Sequence, residues 1–313
     1  MTSFGLQLPN FTLGVPDSAL FETFAGIAVA GEEAGFDSLW VMDHFYQLPA
    51  LGGAEQPILE AYTVLGALAA RTSRARLGTL VTGVTYRNPA MLAKIVTSLD
   101  VISGGRAILG IGAAWHDEEH DGLGFEFPAV KERMDRLEEA VQICRAMFRE
   151  QAPSFEGRHF KIDKARNVPR PIQAGGPPIM IGGGGEQRTL KLVAQYADMC
   201  NVSGDLDTTR HKLEVLRRHC ETVGRDPSEV TTTRMSSLFL ADTAQQAEET
   251  REMITGMAGA EFVAGCTIGT DEQVLDQVAE SIEAGVQYPI FNLPFADAAT
   301  VRRAGELVTQ RFG

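Results

Sequence analysis

Residues 177–197 read PPIMIGGGGEQRTLKLVAQYA. A short apolar run (Pro178–Gly182) meets four consecutive glycines. Leu190, Leu192 and Val193 then follow at helical spacing over a segment from Glu186 to Ala197. The pattern predicts a buried strand, a tight turn and an amphipathic helix. The same unit recurs outward in both directions. Phe4–Pro9, Ser38–His44, Arg76–Val84 and Ala107–Ala113 read as strands on the N-terminal side, and Met199–Val202, Val230–Leu240 and Tyr288–Leu293 on the C-terminal side. Each precedes a helical stretch. Examples are Leu59–Arg71, Ala244–Met257, Ala298–Phe312 and a long helix carrying Met134, Leu137, Val141, Cys144 and Phe148 on one stripe. Eight strand-then-helix units predict a parallel (β/α)8 TIM barrel, with an open doubly wound sheet as the alternative.

Length fits one such domain over residues 1–313. Two stretches exceed the minimal repeat and read as insertions. They are about 151–176, with strand-like pieces near Phe155 and His159–Ile162, and the Gly-rich 256–270. The 28 Lys and Arg stand against 41 Asp and Glu, a net charge of −13 that argues against binding nucleic acid or an anionic membrane. Four scattered cysteines form no CxxC pair, so neither a disulfide framework nor a zinc knuckle is expected. No basic-then-apolar leader is read, and no run approaches the ~18 apolar residues of a membrane span. A soluble, cytoplasmic protein is the expectation.

In a barrel of this kind, chemistry gathers where the strands end and the βα loops converge. The expected ends are Asp43-His44, Thr82-Gly83, Ala113-Ala114-Trp115-His116, Gly182–Gly185, Asn201 and Asn292. The glycine run Gly182, Gly183, Gly184 and Gly185, with a helix expected from Glu186, reads as a phosphate cradle or as a plain flexible turn. His44 is either a structural histidine at a strand end or a proton donor and acceptor facing the pocket. Gly110-Ile-Gly112 is a lone GxG with Trp115 where a dinucleotide fingerprint needs glycine, which excludes that motif. His116 and His120 lie at i and i+4, but Asp117 stands where a zincin needs glutamate and no third ligand stands out, so no metal is expected. The acids between them suit a helix N-terminus. Lys161, Lys164, Arg166 and Arg170 form a basic run that is either a solvated face or a reader of an acidic ligand tail.

Taken with GFDSLWVMDHF (35–45), RLGTLVTGVTYRNPAMLAK (76–94), SGGRAILGIGAAWHDEEHDGLGFEFP (103–128), PPIMIGGGGEQRTLKLVAQYAD (177–198) and GVQYPIFNLP (285–294), the chain resembles the luciferase-like monooxygenase superfamily nearly end to end. It is most similar to the branch using the deazaflavin coenzyme F420. The resemblance implies a redox ring in the barrel mouth, with His44 beside it as the catalytic histidine. It also implies a non-prolyl cis peptide at Leu80–Val81 behind the ring, next to Thr82. Ala113, Ala114 and Trp115 would lie along the ring edge, and Gly182–Gly185 at the ribityl phosphate. Sugar-phosphate dehydrogenases of that branch carry a tryptophan four residues after the histidine and a glutamate after strand four. Here those places hold Leu48 and Trp115, which argues against glucose-6-phosphate as substrate. The implied function is hydride transfer between coenzyme F420 and a small organic substrate, in a homodimer, with a flavin or F420 reductase as partner. The alternatives are a two-component monooxygenase fed with reduced FMN and a non-catalytic flavin-binding barrel.

Overall fold

The computed structural model describes residues 2–313. Eight parallel strands form the barrel. They are β1 (Gly5–Gln7), β2 (Ser38–Val41), β3 (Arg76–Thr79, resumed at Thr82–Gly83), β4 (Ala107–Gly112), β5 (Ile179–Gly182), β6 (Met199–Val202), β7 (Thr231–Leu240) and β8 (Tyr288–Asn292). Each pairs with the next, and β8 returns to β1 through Gly5↔Ile290, Leu6↔Phe291 and Gln7↔Asn292, so the sheet is closed. Closure rules out the open sheet and leaves no barrel edge exposed.

Side chains alternate across each strand. Leu6, Leu39, Leu77, Leu109 and Ile181 point outward into the main core shared with the surrounding helices. Trp40, Ile108, Met180, Met199, Tyr288 and Ile290 point inward and pack against Leu80 and Val81. The indole Nε1–H of Trp40 donates to Ser38 Oγ (2.6 Å), and Tyr288 Oη donates to the same oxygen (2.7 Å), so the polar atoms within this plug are satisfied. The barrel is therefore filled from below, as such barrels generally are.

Boundaries shift where a turn has its own hydrogen bonds. The helix expected from Glu186 begins at Thr189, because Glu186–Arg188 form a turn that brings Leu190 N–H onto Gly185 O (3.0 Å). The third strand is not continuous to Val84. It breaks at a cis peptide between Leu80 and Val81, the bond expected to be cis.

Residues 151–176 contain an antiparallel pair, Phe155–Glu156 with Lys161–Ile162. It docks on the helix Val130–Arg149, where Glu139 accepts the N–H groups of Arg158, His159 and Phe160. Residues 256–270 contain the short helix Ala260–Ala264 and the strand Thr267–Gly269, which pairs with the outer end of β7. Among the described residues no helix is long and apolar enough to cross a membrane.

Candidate active site at the barrel mouth

All eight strands run the same way, so their C-terminal ends share one rim. His44 follows β2 by three residues and is 13 % exposed. Its Nδ1 lies 2.7 Å from Oε1 of Glu119, a carboxylate that is 0 % exposed. Glu119 also accepts from the backbone N–H of Phe45 (2.6 Å) and of Tyr46 (3.3 Å), and from the Tyr86 hydroxyl. Burial alone raises a carboxyl pKa. Here the hydrogen bonds from His44, Tyr86 and Phe45 outweigh burial and hold Glu119 at about 2. The same contacts, after burial itself, push the Tyr86 phenol well above its usual range. Glu119 is thus a fixed anion, and it favours the His44 tautomer that carries its proton on Nδ1. Among the described residues His44 Nε2 has no partner, and it is not sealed from solvent.

Beneath His44 lies a second ionic group. Arg87 donates to both oxygens of buried Asp43 (2.6 and 3.0 Å) and to Glu60 (2.6 Å). Burial raises the Asp43 pKa and Arg87 opposes it. Arg87 also lies over the Tyr62 ring at 4.8 Å. Tyr62 Oη, Thr82 Oγ1 and Thr79 Oγ1 form a chain that ends on Gly110 O. Thr82 therefore serves the floor of the site, and its hydroxyl is already shared.

Past β4, Arg133 donates to Ala113 O (3.0 Å) and Ala114 adopts a left-handed φ of 60°, uncommon for a residue with a Cβ. This turn sends Trp115 outward, 62 % exposed, and His116 inward. The Trp115 and His116 rings meet the His44 ring edge-on at 5.5 and 5.6 Å. His120 is spent on Thr85 Oγ1 (2.7 Å) and His116 O (2.6 Å). Among the described residues no group of His, Cys, Asp and Glu is placed to hold a metal.

Across the mouth, Gly182 packs on Val81, and Gly183 (φ +117°) donates its N–H to Asn201 O (3.0 Å). Among the described residues the N–H groups of Gly184 and Gly185 have no internal acceptor. A Cβ on Gly185 would lie 2.8 Å from Thr189 Oγ1, and one on Gly184 would touch the Lys212 stem at 3.5 Å. Glycine thus leaves these N–H groups uncovered by side chains, a fit for a phosphate-bearing cofactor. Inside the barrel, Asn292 Oδ1 is buried with no partner among the described residues.

The structure brings His44, Leu80, Val81, Ala113, Ala114, Trp115 and Gly182–Gly185 to one rim. Two members of the basic run are committed elsewhere. Arg170 caps the C-terminal carbonyls of helix Val130–Arg149, and Lys161 pairs with Glu156 on the outer hairpin. Sequence reading missed Glu119 and Tyr86. Glu119 stands at i+3 from His116, with His120 at i+4, so one helix face carries all three. That spacing was the available signal.

The sequence profile of the luciferase-like monooxygenases matches residues 2–264. An F420-dependent glucose-6-phosphate dehydrogenase of Kineococcus radiotolerans is 35 % identical over 232 residues, 72 % of this chain and 67 % of that one. A second protein so named, from Amycolatopsis mediterranei, is 36 % identical over 171 residues, 54 % of this chain and 48 % of the relative. The chain thus spans about half to two thirds of the length of the curated relatives it matches. Among solved structures, the coenzyme F420-dependent tetrahydromethanopterin reductase of Methanopyrus kandleri superposes with a TM-score of 0.82 at 19 % identity. That superposition covers 100 % of this chain and 99 % of the other.

Proposed function

The chain belongs to the luciferase-like monooxygenase family, and within it we propose an oxidoreductase that exchanges hydride between coenzyme F420 and a small organic substrate. The observation that carries the reading is the pairing of His44 with Glu119 at the rim, facing an open glycine cradle across the mouth. Names of the relatives point the same way. Coenzyme F420, when bound, supplies hydride exchange at C5 of its deazaflavin ring.

The protein supplies the rest. Of the glycine run, Gly184 and Gly185 would hold the phosphate through their backbone N–H groups, Gly183 N–H being spent on Asn201 O. Leu80, Val81, Ala113, Ala114 and Trp115 border the ring, and the inner plug below them excludes water. Glu119 keeps the His44 proton on Nδ1, so Nε2 is the atom that takes or gives the substrate proton. The Glu119 carboxylate, 2.7 Å from Nδ1, holds the ring in that orientation. Tyr86 positions Glu119 and does not touch substrate. Leu48 and Trp115 at their two places argue against glucose-6-phosphate as the substrate.

Turnover draws on a separate F420 or flavin reductase in the cytoplasm. We also assign a homodimer, through the helix Pro89–Ser103, whose exposed Met91 and Ile102 share a face with the half-buried Ile95. Titration of the purified protein with oxidised coenzyme F420 and with FMN tests the cofactor. Micromolar binding of FMN alone would move the assignment to a reduced-FMN monooxygenase, and binding without turnover would make the barrel a carrier.

A further inference from the structure

Among the described residues Lys212 is the one cationic side chain laid against the glycine cradle, and it is occupied by an internal acid. Its Cε packs 3.5 Å from where a Gly184 Cβ would be. Its Nζ is 2.5 Å from Glu186 Oε1, and His211 Nε2 approaches the same oxygen at 3.1 Å. The backbone of Glu186 is pinned separately, by His219 Nε2 on its carbonyl (2.8 Å). The carboxylate can therefore swing away without the turn moving. Next to it stand two free N–H groups, of Gly184 and Gly185, and the Thr189 hydroxyl beside Gly185. Among the described residues these N–H donors have no acceptor, and beside them stands an ammonium that already holds a carboxylate.

We infer that Lys212 is the phosphate-binding side chain of the cradle and that Glu186 is a placeholder anion displaced when the cofactor phosphate arrives. This rests on the cofactor reading above and adds to it a specificity element, the recognition of phosphorylated ring over bare ring. A lysine binds phosphate as a point charge, so its contribution follows the ligand's charge and not the ring. The neighbouring carboxylate opposes that charge until it leaves, so removing its charge favours the ligand.

The test is a fluorescence titration of the full chain with three probes: oxidised coenzyme F420, FMN, and the same deazaflavin carrying only its ribityl chain. Lys212→Met is expected to weaken coenzyme F420 and FMN by about tenfold and to leave the ribityl compound unchanged. Lys212→Arg is expected to retain most of the affinity. Glu186→Gln is expected to tighten the two phosphorylated ligands by about threefold. Thermal melts of each variant separate misfolding from lost binding. Equal weakening of all three ligands by Lys212→Met, no weakening of any, or weakening of coenzyme F420 alone would overturn the placement of Lys212 at the phosphate. Weaker binding in Glu186→Gln would overturn the placeholder role. If the unsubstituted chain bound neither deazaflavin, the cofactor reading itself would fall and this inference with it.

Discussion

Around His44 the rim is made of side chains, sealed and cross-bonded, whereas around Gly182–Gly185 it is made of backbone and one lysine. On the first side, Glu119 has four donors, Asp43 has a bidentate arginine, and Thr82 has two hydroxyl partners. On the second, the N–H groups of Gly184 and Gly185 have no acceptor among the described residues. Proton transfer needs a group held in one tautomer and one orientation, which only a fixed environment provides. Holding an anion needs donors that are free before the anion comes. The difference predicts that folding and function are inseparable on the His44 side and separable on the glycine side.

Removing Arg87 should do the most damage. Arg87→Met leaves Asp43 buried and uncompensated, and breaking one partner of such a pair costs about 3–5 kcal/mol. Urea unfolding at unchanged m-value measures it. Asp43→Asn together with Arg87→Met should recover part of the loss. A cost below about 1 kcal/mol would mean that this network does not fix the His44 side.

Glu119→Gln comes next, through pH. Folding lowers the Glu119 pKa from 4.5 to about 2. Its ionisation therefore favours the folded state fully above pH 4.5, and that stabilisation is lost as pH falls toward 2. The difference in stability between the unsubstituted chain and Glu119→Gln should shrink by roughly 3 kcal/mol across that window. Acid titrations at several urea concentrations read this directly. A difference that stayed constant with pH would remove Glu119 as the fixed anion. Tyr86→Phe deletes one of four donors to the same carboxylate and should cost less, about 1–2 kcal/mol. His44 should keep its Nδ1 proton in that variant, as nitrogen chemical shifts of the ring would show.

The same contrast explains what the sequence displayed. The glycine run and His44 announce themselves locally, one by composition and one by following an apolar strand. The eight barrel strands were legible because each is a short apolar run followed by helical spacing, and the helix Ala298–Phe312 is bounded as expected. Glu119 was hidden because its role is created by a partner 75 residues away. In isolation HDEEH is only an acidic first turn. The basic run from Lys161 to Arg170 stayed open between two readings for the converse reason. It is contiguous in sequence, but its ends are spent on a hairpin and on helix carbonyls. The start of the helix at Thr189 was masked because Glu186–Arg188 are good helix formers captured by a turn.

The smallest effect on stability is expected at Gly184, and it bears most directly on the contrast. Gly184 has no left-handed φ, and an added methyl would make only an ordinary contact with Lys212. Gly184→Ala should therefore leave stability unchanged or raise it by about 0.5 kcal/mol, through the lower entropy of the unfolded chain. The same methyl would stand in the mouth of the cradle and weaken coenzyme F420 several-fold. Gly183→Ala makes the control, since its φ of +117° should make the substitution costly to folding, by about 1 kcal/mol or more. A Gly184→Ala protein that melts like the unsubstituted chain yet binds coenzyme F420 poorly would separate binding from folding on this side of the rim. One that binds normally would mean that the free N–H groups are not where the phosphate sits, and the backbone-built half would lose its assigned task.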